Sequence, residues 1–495
     1  MAELLTDQLR LMAEHFGAEV GYIDCGSGEH LTFAEWESRS NRVGRWLMGA
    51  GVAKGDRVAL FLPPEEPLDW MVGYAGIHKA GAVAVPTSAR LVSRELEFVL
   101  AHAGAVAALV GSALVPVLSE ARPQLPELRV VLTAPWPEAM AESDETFQIA
   151  VDGDDMADLM YTSGTTGRPK GVVVRHRNVA MIPNGLPRWS GAGWLHASPM
   201  FTFAGIASVY NPMKLGMRGL YLPRFDVGSW IEVVEREAPS ATFLVPAMAQ
   251  LLLGDARFER ADLSSLKMCS LGSAPVAPET IRRLRARLPG CAVSNGWGMT
   301  EAGPAFCSMP PGEADRRVGS VGKPLPPTEF RIVDDDGRTL PPGDAGELLV
   351  RNPGREREYF RDPEVTAETW RDGWLHSGDL AYLDADGFLY IVGRKKDVII
   401  RGGNNIHASD IESVLYEHPD VQEAAVTGIP HEVLGEDVGA WIVLRPGTDV
   451  SADAVRSFCA ARLADYKVPR RVFFVDELPR NATGKVVKRD LVVPA

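Results

Sequence analysis

The chain of 495 residues, with 46% hydrophobic and 23% charged side chains, is typical of a globular protein large enough for at least two domains. Its formal net charge of −14 argues against nucleic acid as a partner. The N-terminus lacks the pattern of a signal peptide, no apolar run could span a bilayer, and the five cysteines lack a metal-binding spacing. We therefore expect a reduced, cytoplasmic protein without stable membrane insertion.

Residues 1–150 are predicted to alternate helices with short apolar strands. The segment Thr32–Glu35 has the capping-box pattern that starts a helix. Further helices are expected over about 67–80 and from Ser93, and strands over Val58–Leu62 and Val83–Pro86. This alternation predicts a mainly parallel, doubly wound sheet. Three basic residues of this region are interpreted as solvated surface, namely Lys54, Arg57 and Lys79.

A glycine-rich segment, Tyr161–Val174, is the strongest local signal in the sequence. Glycines allow backbone N–H groups to turn towards a ligand, hydroxyls add donors, and two cations follow. The residues concerned are Thr162, Ser163, Gly164, Thr165, Thr166, Gly167, Arg168, Lys170 and Gly171. The spacing is not that of a Walker loop, and Pro169 between β-branched runs predicts a strand–loop–strand hairpin. The composition indicates a polyphosphate site.

Three later segments follow predicted strands and have distinctive chemistry. Ligands of open parallel sheets bind beyond the carboxyl ends of the strands, so these segments are candidate binding regions. Gly272–Pro275 offers small side chains and room for a flat ring, whereas Asn295–Glu301 offers an aromatic face, a hydroxyl and a carboxylate. The third, Ser198–Gly205, is apolar and better suited to an organic acid.

From about residue 318 the pattern changes to hairpins. Turns at Asp334–Gly337 and Asp384–Gly387 between apolar runs predict a small antiparallel β-barrel. Asp379 follows a glycine in this region, and from the residues alone its isolated carboxylate is interpreted as a turn cap.

Residues 397–495 are predicted to form a compact α+β segment, with a second capping box at Ser409–Glu412. The paired glycines Gly402 and Gly403 permit the close approach of an extended ligand. The tight turn at Asn481–Lys485 would aim one amine outward, within a stretch that is basic although the whole chain is acidic. This position makes a functional lysine the favoured interpretation.

In this order, and over nearly the whole chain, these segments resemble the motifs of the adenylate-forming superfamily of acyl-CoA synthetases, peptide-synthetase adenylation domains and firefly-type luciferases. The resemblance is strongest to the acyl-CoA synthetase branch. It implies an α/β fold with a large N-terminal domain, residues 1–394, and a mobile α+β C-terminal domain, residues 395–495. The N-terminal domain would contain two doubly wound α/β subdomains, about 1–150 and 151–310, and a small β-barrel, about 311–394.

The resemblance also implies a role for each matching residue. Lys485, Thr300 and Glu301 would be catalytic: the lysine bridges the substrate carboxylate and the α-phosphate, and Glu301 binds Mg²⁺. The nucleotide would be bound by Thr162, Ser163, Gly164, Thr165, Thr166, Gly167, Lys170, Gly272, Ser273, Ala274, Asn295, Gly296, Trp297, Gly298, Met299, Thr300, Asp379 and Arg394. The acyl pocket would consist of Phe201, Thr202, Phe203, Gly205 and Phe243. The coenzyme A tunnel would be lined by Arg401, Gly402 and Gly403, and Lys396 would be the hinge.

Two positions depart from the family pattern. Thr202 stands where the Pro-x-x-His motif has histidine, so a small hydroxyl replaces an aromatic gate. Ala408 stands where a proline usually starts the helix after the glycine pair. The first change would widen or regate the acyl pocket and the second would loosen the face used for thiolation, so either could unbalance the two half-reactions.

The leading hypothesis is an ATP-dependent carboxylate–CoA ligase that forms an acyl-adenylate and then a thioester from a medium or bulky hydrophobic acid. A stand-alone adenylation enzyme that loads a carrier protein, or an enzyme restricted to one half-reaction, stays open as an alternative. A non-catalytic acyl- or nucleotide-binding protein is disfavoured because Lys485, Glu301 and the hydroxyls of the glycine-rich loop are intact.

Overall fold

In a computed structural model of the chain, residues 4–136, 143–162, 168–179, 182–303, 307–310, 312–481 and 484–493 are described. The chain divides into two compact units. The first consists of Met1–Thr242, Met299–Pro304 and Gly354–Glu368, and the second of Phe243–Gly298, Ala305–Pro353 and Thr369–Ala495. Across the described residues, no helix combines the length and apolar character that a membrane span requires.

The first unit contains a seven-stranded sheet with a parallel centre and an antiparallel edge. Its strands, in spatial order, are Glu358–Tyr359, Lys170–Arg175, Met156–Thr162, Val83–Pro86, Arg57–Phe61, Ala105–Val110 and Val130–Thr133. A second group of neighbouring strands, in the order Ala192–His196, Met217–Tyr221, Val20–Asp24 and His30–Thr32, is parallel except for its last pair. Apolar helices pack against these sheets, which confirms the predicted α/β fold with parallel sheets.

The helices of the first unit are mostly amphipathic. They span Leu5–Phe16, Phe33–Gly49, Pro67–Lys79, Ser93–Ala103, Val115–Ala121, His176–Val179, Phe203–Lys214, Val227–Glu237 and Pro363–Thr369, the last ending at the boundary of the unit, with 3₁₀ turns at Ser112–Leu114, Arg122–Gln124 and Thr300–Ala302. The predicted capping box is confirmed: Glu35 N–H donates to the Thr32 hydroxyl at 3.2 Å, and Thr32 N–H donates to the Glu35 carboxylate at 2.8 Å. Trp36 and Leu47, on the inner face of this helix, are buried.

Lys79 corrects one expectation. It was expected in solvent, but it is buried at the end of its helix, where its ammonium lies 2.7 Å from the Glu37 carboxylate and donates to Asn41 Oδ1 at 2.7 Å. Burial lowers the pKa of Lys79 to about 8, and the Glu37 carboxylate opposes that decrease. Helix Pro67–Lys79 is buried on nearly all of its sides, so Lys79, its last residue, is buried as well.

The second unit is built from three sets of strands. Ala241–Leu244, which begins in the first unit, is followed in the sheet by Met268–Leu271 and Ala292–Asn295. An antiparallel sheet runs in the order Glu329–Val333, Gly346–Arg351, Trp374–Leu383 and Trp370–Arg371, with Leu389–Arg394 also paired to Trp374–Leu383. A C-terminal sheet runs in the order Asn404–His407, Val398–Arg401, Gly435–Leu444 and Val421–His431, with Arg471–Phe474 added in parallel to Gly435–Leu444. A short pair joins Cys307–Ser308 to Lys323–Pro324.

The helices of the second unit are Pro246–Gly254, Ala256–Arg260, Pro278–Arg287, Ala408–Tyr416 and Ala452–Ala460, with 3₁₀ turns at Lys395–Asp397, Asp465–Lys467 and Lys488–Asp490. The capping box predicted at Ser409–Glu412 is wrong. The helix begins at Ala408, the Ser409 hydroxyl donates to the carbonyl of Val392, and the Glu412 carboxylate accepts from the N–H of Val426. Both side chains therefore bond to neighbouring elements instead of to the end of their own helix.

Candidate active site

The two strands that flank the glycine-rich loop form the predicted hairpin. Met156–Thr162 and Lys170–Arg175 pair antiparallel, and Thr162 lies opposite Lys170 at their open end. The loop residues Ser163, Gly164, Thr165, Thr166 and Gly167 lie outside the described residues. The structure therefore describes the two strands on either side of the predicted phosphate-binding loop.

A carboxylate lies beside this end of the hairpin. Glu301 belongs to the 3₁₀ turn Thr300–Ala302, and its Oε1 accepts hydrogen bonds from the Thr162 hydroxyl at 3.0 Å and the Tyr359 hydroxyl at 3.3 Å. The ammonium of Lys170 lies 5.0 Å from the centre of the Tyr359 ring, a cation–π distance. The first unit thus brings together three predicted site residues, a hydroxyl, a carboxylate and a cation.

Tyr359 was not found by sequence analysis. It lies on a two-residue strand opposite Val172, in a stretch rich in charge and turn residues, so no periodic pattern marks it. Only its antiparallel pairing with the hairpin carries its hydroxyl to Glu301.

The donor set of this region suits magnesium. The described residues contain no group of three or more His, Cys, Asp or Glu side chains that could hold a metal ion. Mg²⁺, however, is commonly held by one or two carboxylates together with substrate phosphates. A single carboxylate, Glu301, oriented by two hydroxyls beside the flanks of the predicted phosphate loop fits that kind of site.

In the second unit, two predicted binding segments follow neighbouring parallel strands. Leu271 pairs with Asn295, so Gly272–Ala274 and Gly296–Trp297 leave the sheet side by side. A Cβ at Gly272 would lie 3.3 Å from the ring of Phe243 and 3.5 Å from the Gly296 carbonyl, so only glycine leaves this surface flat. Ser273 has φ +69°, a left-handed conformation that is uncommon for a residue other than glycine and often marks a functional site.

Trp297 contacts the predicted ribose-binding pair. Its indole N–H donates to Asp379 Oδ2 at 2.8 Å, and Arg394 Nε lies 3.2 Å from Asp379 Oδ1. Asp379 and Arg394 are opposite each other on adjacent strands, and the carboxylate is largely buried. The ring of Phe330 meets the indole edge-to-face at 6.1 Å, which orients it. The structure therefore joins the residues predicted to bind adenine and ribose, and it shows that Asp379 is more than a turn cap.

The C-terminal turn before Lys485 is anchored at both ends. Gly484 has φ +81°, the Asn481 side chain accepts from Lys485 N–H at 3.0 Å, and Arg480 donates to the Gly484 carbonyl at 2.9 Å. Arg480 also pairs with Glu423 at 2.6 Å, which ties the turn to the C-terminal sheet. The ends of the predicted turn are thus hydrogen-bonded to each other and Arg480 has a structural role, while Ala482 and Thr483 lie outside the described residues.

The predicted coenzyme A residues lie on another hairpin of the C-terminal sheet. Gly402 and Gly403 connect strands Val398–Arg401 and Asn404–His407, and both have positive φ, as a two-residue hairpin turn requires. Arg401 is fixed by a 2.7 Å ion pair with the buried Asp437. Lys396 lies exposed in the turn Lys395–Asp397 that precedes this hairpin.

The predicted acyl residues include a helix cap. The Thr202 hydroxyl accepts from Gly205 N–H at 3.0 Å and donates to the Pro199 carbonyl at 2.7 Å, so it caps helix Phe203–Lys214. Gly205 is required there, because a Cβ would lie 2.1 Å from that carbonyl oxygen. Three aromatic residues of the predicted pocket are half-buried, namely Phe201 and Phe203 in the first unit and Phe243 in the second.

Comparisons with known proteins identify the family of the chain. A family model described as AMP-binding enzyme matches residues 10–360, and one described as AMP-binding enzyme C-terminal domain matches residues 410–485. A feruloyl-CoA synthase from Amycolatopsis sp is 38% identical over 471 residues, 94% of this chain and 94% of that protein.

Two solved structures extend the comparison. ATP-bound MatB from Rhodopseudomonas palustris has a TM-score of 0.89 and 30% identity, covering 99% of this chain and 98% of the other. The o-succinylbenzoate CoA synthetase of Bacillus subtilis, solved with its acyl-adenylate intermediate, has a TM-score of 0.85 and 30% identity, with the same coverage of 99% and 98%. They support the predicted large N-terminal domain followed by a separate C-terminal domain. The chain belongs to the AMP-binding enzyme family, as an adenylate-forming enzyme of the acyl-CoA synthetase branch that joins a carboxylate to coenzyme A.

Proposed function

We propose that this enzyme activates an aromatic carboxylic acid with ATP and transfers the acyl group to coenzyme A. In the first step a carboxylate oxygen attacks the α-phosphorus of ATP and pyrophosphate leaves, which forms an acyl-adenylate. In the second step the thiol sulfur attacks the acyl carbon, loses its proton, and AMP leaves. The arrangement of Glu301 between the Thr162 and Tyr359 hydroxyls, beside Lys170, carries the proposal, because it suits the phosphates of a bound nucleotide.

The nucleotide roles follow from the site chemistry. Thr162 and Lys170, together with the loop residues 163–167, would bind the phosphates, and Glu301 would hold Mg²⁺, which neutralises charge on the leaving pyrophosphate when bound. Trp297 offers an aromatic face for adenine next to the flat surface at Gly272. Asp379 would accept hydrogen bonds from ribose hydroxyls.

Lys485 is suited to reduce an electrostatic repulsion that arises in the first step. The substrate carboxylate and the α-phosphate are both anionic, and unit like charges about 4 Å apart repel by about 4 kcal/mol at an effective dielectric constant of about 20. An ammonium between them offsets a repulsion of that size and stabilises the charge that develops. The second step brings a thiol to the acyl carbon and has no such need. Lys485 is therefore assigned to adenylation.

The acid class is inferred from the pocket residues and from the relatives. Phe201 and Phe203 supply aromatic surface in the first unit, and Thr202 adds little bulk because its hydroxyl bonds to its own helix end. Two of the compared proteins are named for acids that contain an aromatic ring, the feruloyl and o-succinylbenzoyl groups. A ring stacked among aromatic side chains gains about 0.5–1.5 kcal/mol per pair beyond area burial.

Coenzyme A is the thiol acceptor of the family, and Arg401, Gly402 and Gly403 are the residues proposed to lie along its pantetheine arm. A carrier protein is the second candidate, because a relative of this chain, 32% identical over 479 residues, is named as a fatty acid–acyl-carrier-protein ligase from Streptomyces coeruleorubidus. Both acceptors present the same thiol chemistry.

The test is a panel of acids with the purified enzyme, ATP and Mg²⁺. Ferulate, 2-succinylbenzoate and a medium-chain fatty acid are each assayed for AMP release and thioester formation with free coenzyme A and with a holo carrier protein. We expect the aromatic acids to have the highest kcat/KM and free coenzyme A to accept the product. Faster turnover of the fatty acid would reject the aromatic class. Thioester formation on the carrier protein alone would reject coenzyme A as acceptor.

A further inference from the structure

Arg357 is a buried cation that neither sequence analysis nor the site described above includes. It is 4% exposed, in the loop that leads to Tyr359. Its guanidinium donates to the backbone carbonyl of Thr300 and, at 2.9 Å, to that of Asn178. It also lies 5.0 Å over the ring of Phe203. One side chain therefore touches three separate segments of the first unit.

Two of these segments carry part of the site. Thr300 precedes Glu301, and Phe203 is the first residue of the helix beside the predicted acyl pocket. Gly303 closes the Thr300–Ala302 turn, and a Cβ there would lie 3.0 Å from Arg357 Nε. The turn and the guanidinium are thus closely packed, and Gly303 also has φ +66°, a left-handed conformation that favours glycine.

A buried guanidinium needs compensation, because moving a cation out of water is costly unless it is hydrogen-bonded or paired. Burial lowers the pKa of Arg357 to about 10, and the carboxylates of Asp158 and Glu301 oppose that decrease. Its direct hydrogen bonds go to backbone carbonyls instead of to a carboxylate. Such bonds fix the path of the backbone, and Glu301 keeps its Oε1 for the Thr162 and Tyr359 hydroxyls.

We propose that Arg357 is a positioning residue for adenylation, which fixes the Thr300–Glu301 turn against the start of helix Phe203–Lys214. The inference depends on the proposed role of Glu301 at the Mg²⁺–nucleotide site. Without the guanidinium, the Thr300 carbonyl keeps the long bond from Gly303 N–H, at 3.4 Å, but loses its link to the loop before Tyr359, and the turn relaxes. Small displacements of this kind cost about 10²-fold in rate when they misplace reacting groups.

The experiment compares Arg357→Met, which keeps the apolar stem, with Arg357→Lys, which keeps the charge. We measure the rise in Tm caused by ATP at a series of Mg²⁺ concentrations, pyrophosphate release in the adenylation step, and thioester formation from supplied acyl-adenylate. For Arg357→Met we expect a higher Mg²⁺ concentration at half-maximal ATP stabilisation, kcat for adenylation lower by about 10–100-fold, and unchanged thioester formation. Arg357→Lys should restore part of the adenylation rate.

Arg361 provides a matched control in the same loop. Its guanidinium also lies 5.0 Å over a phenylalanine ring, that of Phe360, and donates to a backbone carbonyl, that of His102, at 3.0 Å. Arg361→Met should leave the Mg²⁺ dependence and both half-reactions unchanged. Equal loss of both half-reactions in Arg357→Met, or an unaltered Mg²⁺ dependence, would overturn the inference.

Two further outcomes would count against either the inference or the proposed role of Glu301. If Arg357→Met does not fold, Arg357→Lys decides, and a wild-type Mg²⁺ dependence in that variant would count against the inference. If the wild-type enzyme itself shows no Mg²⁺-dependent stabilisation by ATP, the proposed role of Glu301 fails instead.

Discussion

The two carboxylate oxygens of Asp379 have different partners. Oδ2 accepts a hydrogen bond from the indole N–H of Trp297, and Oδ1 pairs with Arg394. A carboxylate has about four lone-pair sites, so it can accept these bonds and still bind further donors. A tryptophan at position 297 therefore offers a flat face, as a phenylalanine would, and its indole N–H also orients the acidic residue beside it, which a phenylalanine could not do.

We predict that Asp379→Asn weakens the binding of ATP and AMP. The amide still accepts from Trp297, but the charge that pairs with Arg394 is lost, and hydrogen bonds to charged groups contribute about 1.5–3 kcal/mol, or roughly 10–100-fold in affinity. Isothermal titration with AMP and with ATP measures the change. Asp384→Asn is the control, because it removes a similar Asp–Arg pair, with Arg317, elsewhere in the same antiparallel sheet. An unchanged Kd in Asp379→Asn would discard the ribose role.

Lys485→Ala should lower the rate of adenylation by about 10²–10³-fold. The reason is the repulsion between the carboxylate and the α-phosphate, which the acyl-adenylate no longer contains. Pyrophosphate release measures the first step, and thioester formation from supplied acyl-adenylate measures the second, which we expect to survive. Lys488→Ala is the control, since that ammonium is paired with Glu412 at 2.8 Å. Similar losses in both steps would contradict the assignment of Lys485 to adenylation.

At the scale of elements, prediction from sequence succeeded where the pattern is local. The capping box at Thr32 and the hairpin around Tyr161–Val174 depend on residues close in the chain, and both are confirmed. Lys79, Ser409 and Tyr359 could not be placed in this way. Their environments are set by Glu37, by Val392 and by Glu301, residues far away in sequence, and no propensity or period encodes such contacts.

Thr32→Ala should destabilise the first unit by about 1 kcal/mol. The substitution removes the acceptor for Glu35 N–H at the start of helix Phe33–Gly49. Thermal unfolding of wild type and variant gives the difference in Tm, and Thr32→Ser, which keeps the hydroxyl, should retain most of the stability.

The same cap predicts a pH dependence. Hydrogen bonds from the Thr32 backbone and side chain lower the pKa of Glu35 below its ordinary value of 4.5. A group with a lowered folded-state pKa stabilises fully above its unfolded value, and that contribution is lost as the pH falls through the folded value. The difference in Tm between wild type and Thr32→Ala should therefore shrink below pH 4.5. A difference that stays constant down to acid unfolding would show that the bond from the Thr32 hydroxyl to the Glu35 carboxylate does not contribute to stability.

At the scale of the whole molecule, the two half-reactions require different protein groups around the same acyl carbon. Adenylation needs a cation between two anions, whereas thiolation needs access for a pantetheine thiol. The residues proposed for these tasks, Lys485 and the pair Gly402–Gly403, lie on separate turns of the C-terminal sheet region. We propose that the C-terminal domain, from about residue 395, moves about Lys396 between the two steps, since closure and opening about a few terminal residues is a common way to alternate catalytic faces.

Lys396→Pro tests this movement. Proline locks φ near −65°, so the turn Lys395–Asp397 would lose the freedom that a hinge requires. We expect overall thioester formation to fall while one half-reaction, measured separately, keeps its rate. Lys396→Ala removes the same side chain but leaves the backbone free, so both half-reactions should continue at the wild-type rate. If proline and alanine have the same effect, or if proline slows both half-reactions alike, residue 396 is not a hinge, and the two chemistries must share a single arrangement of the chain.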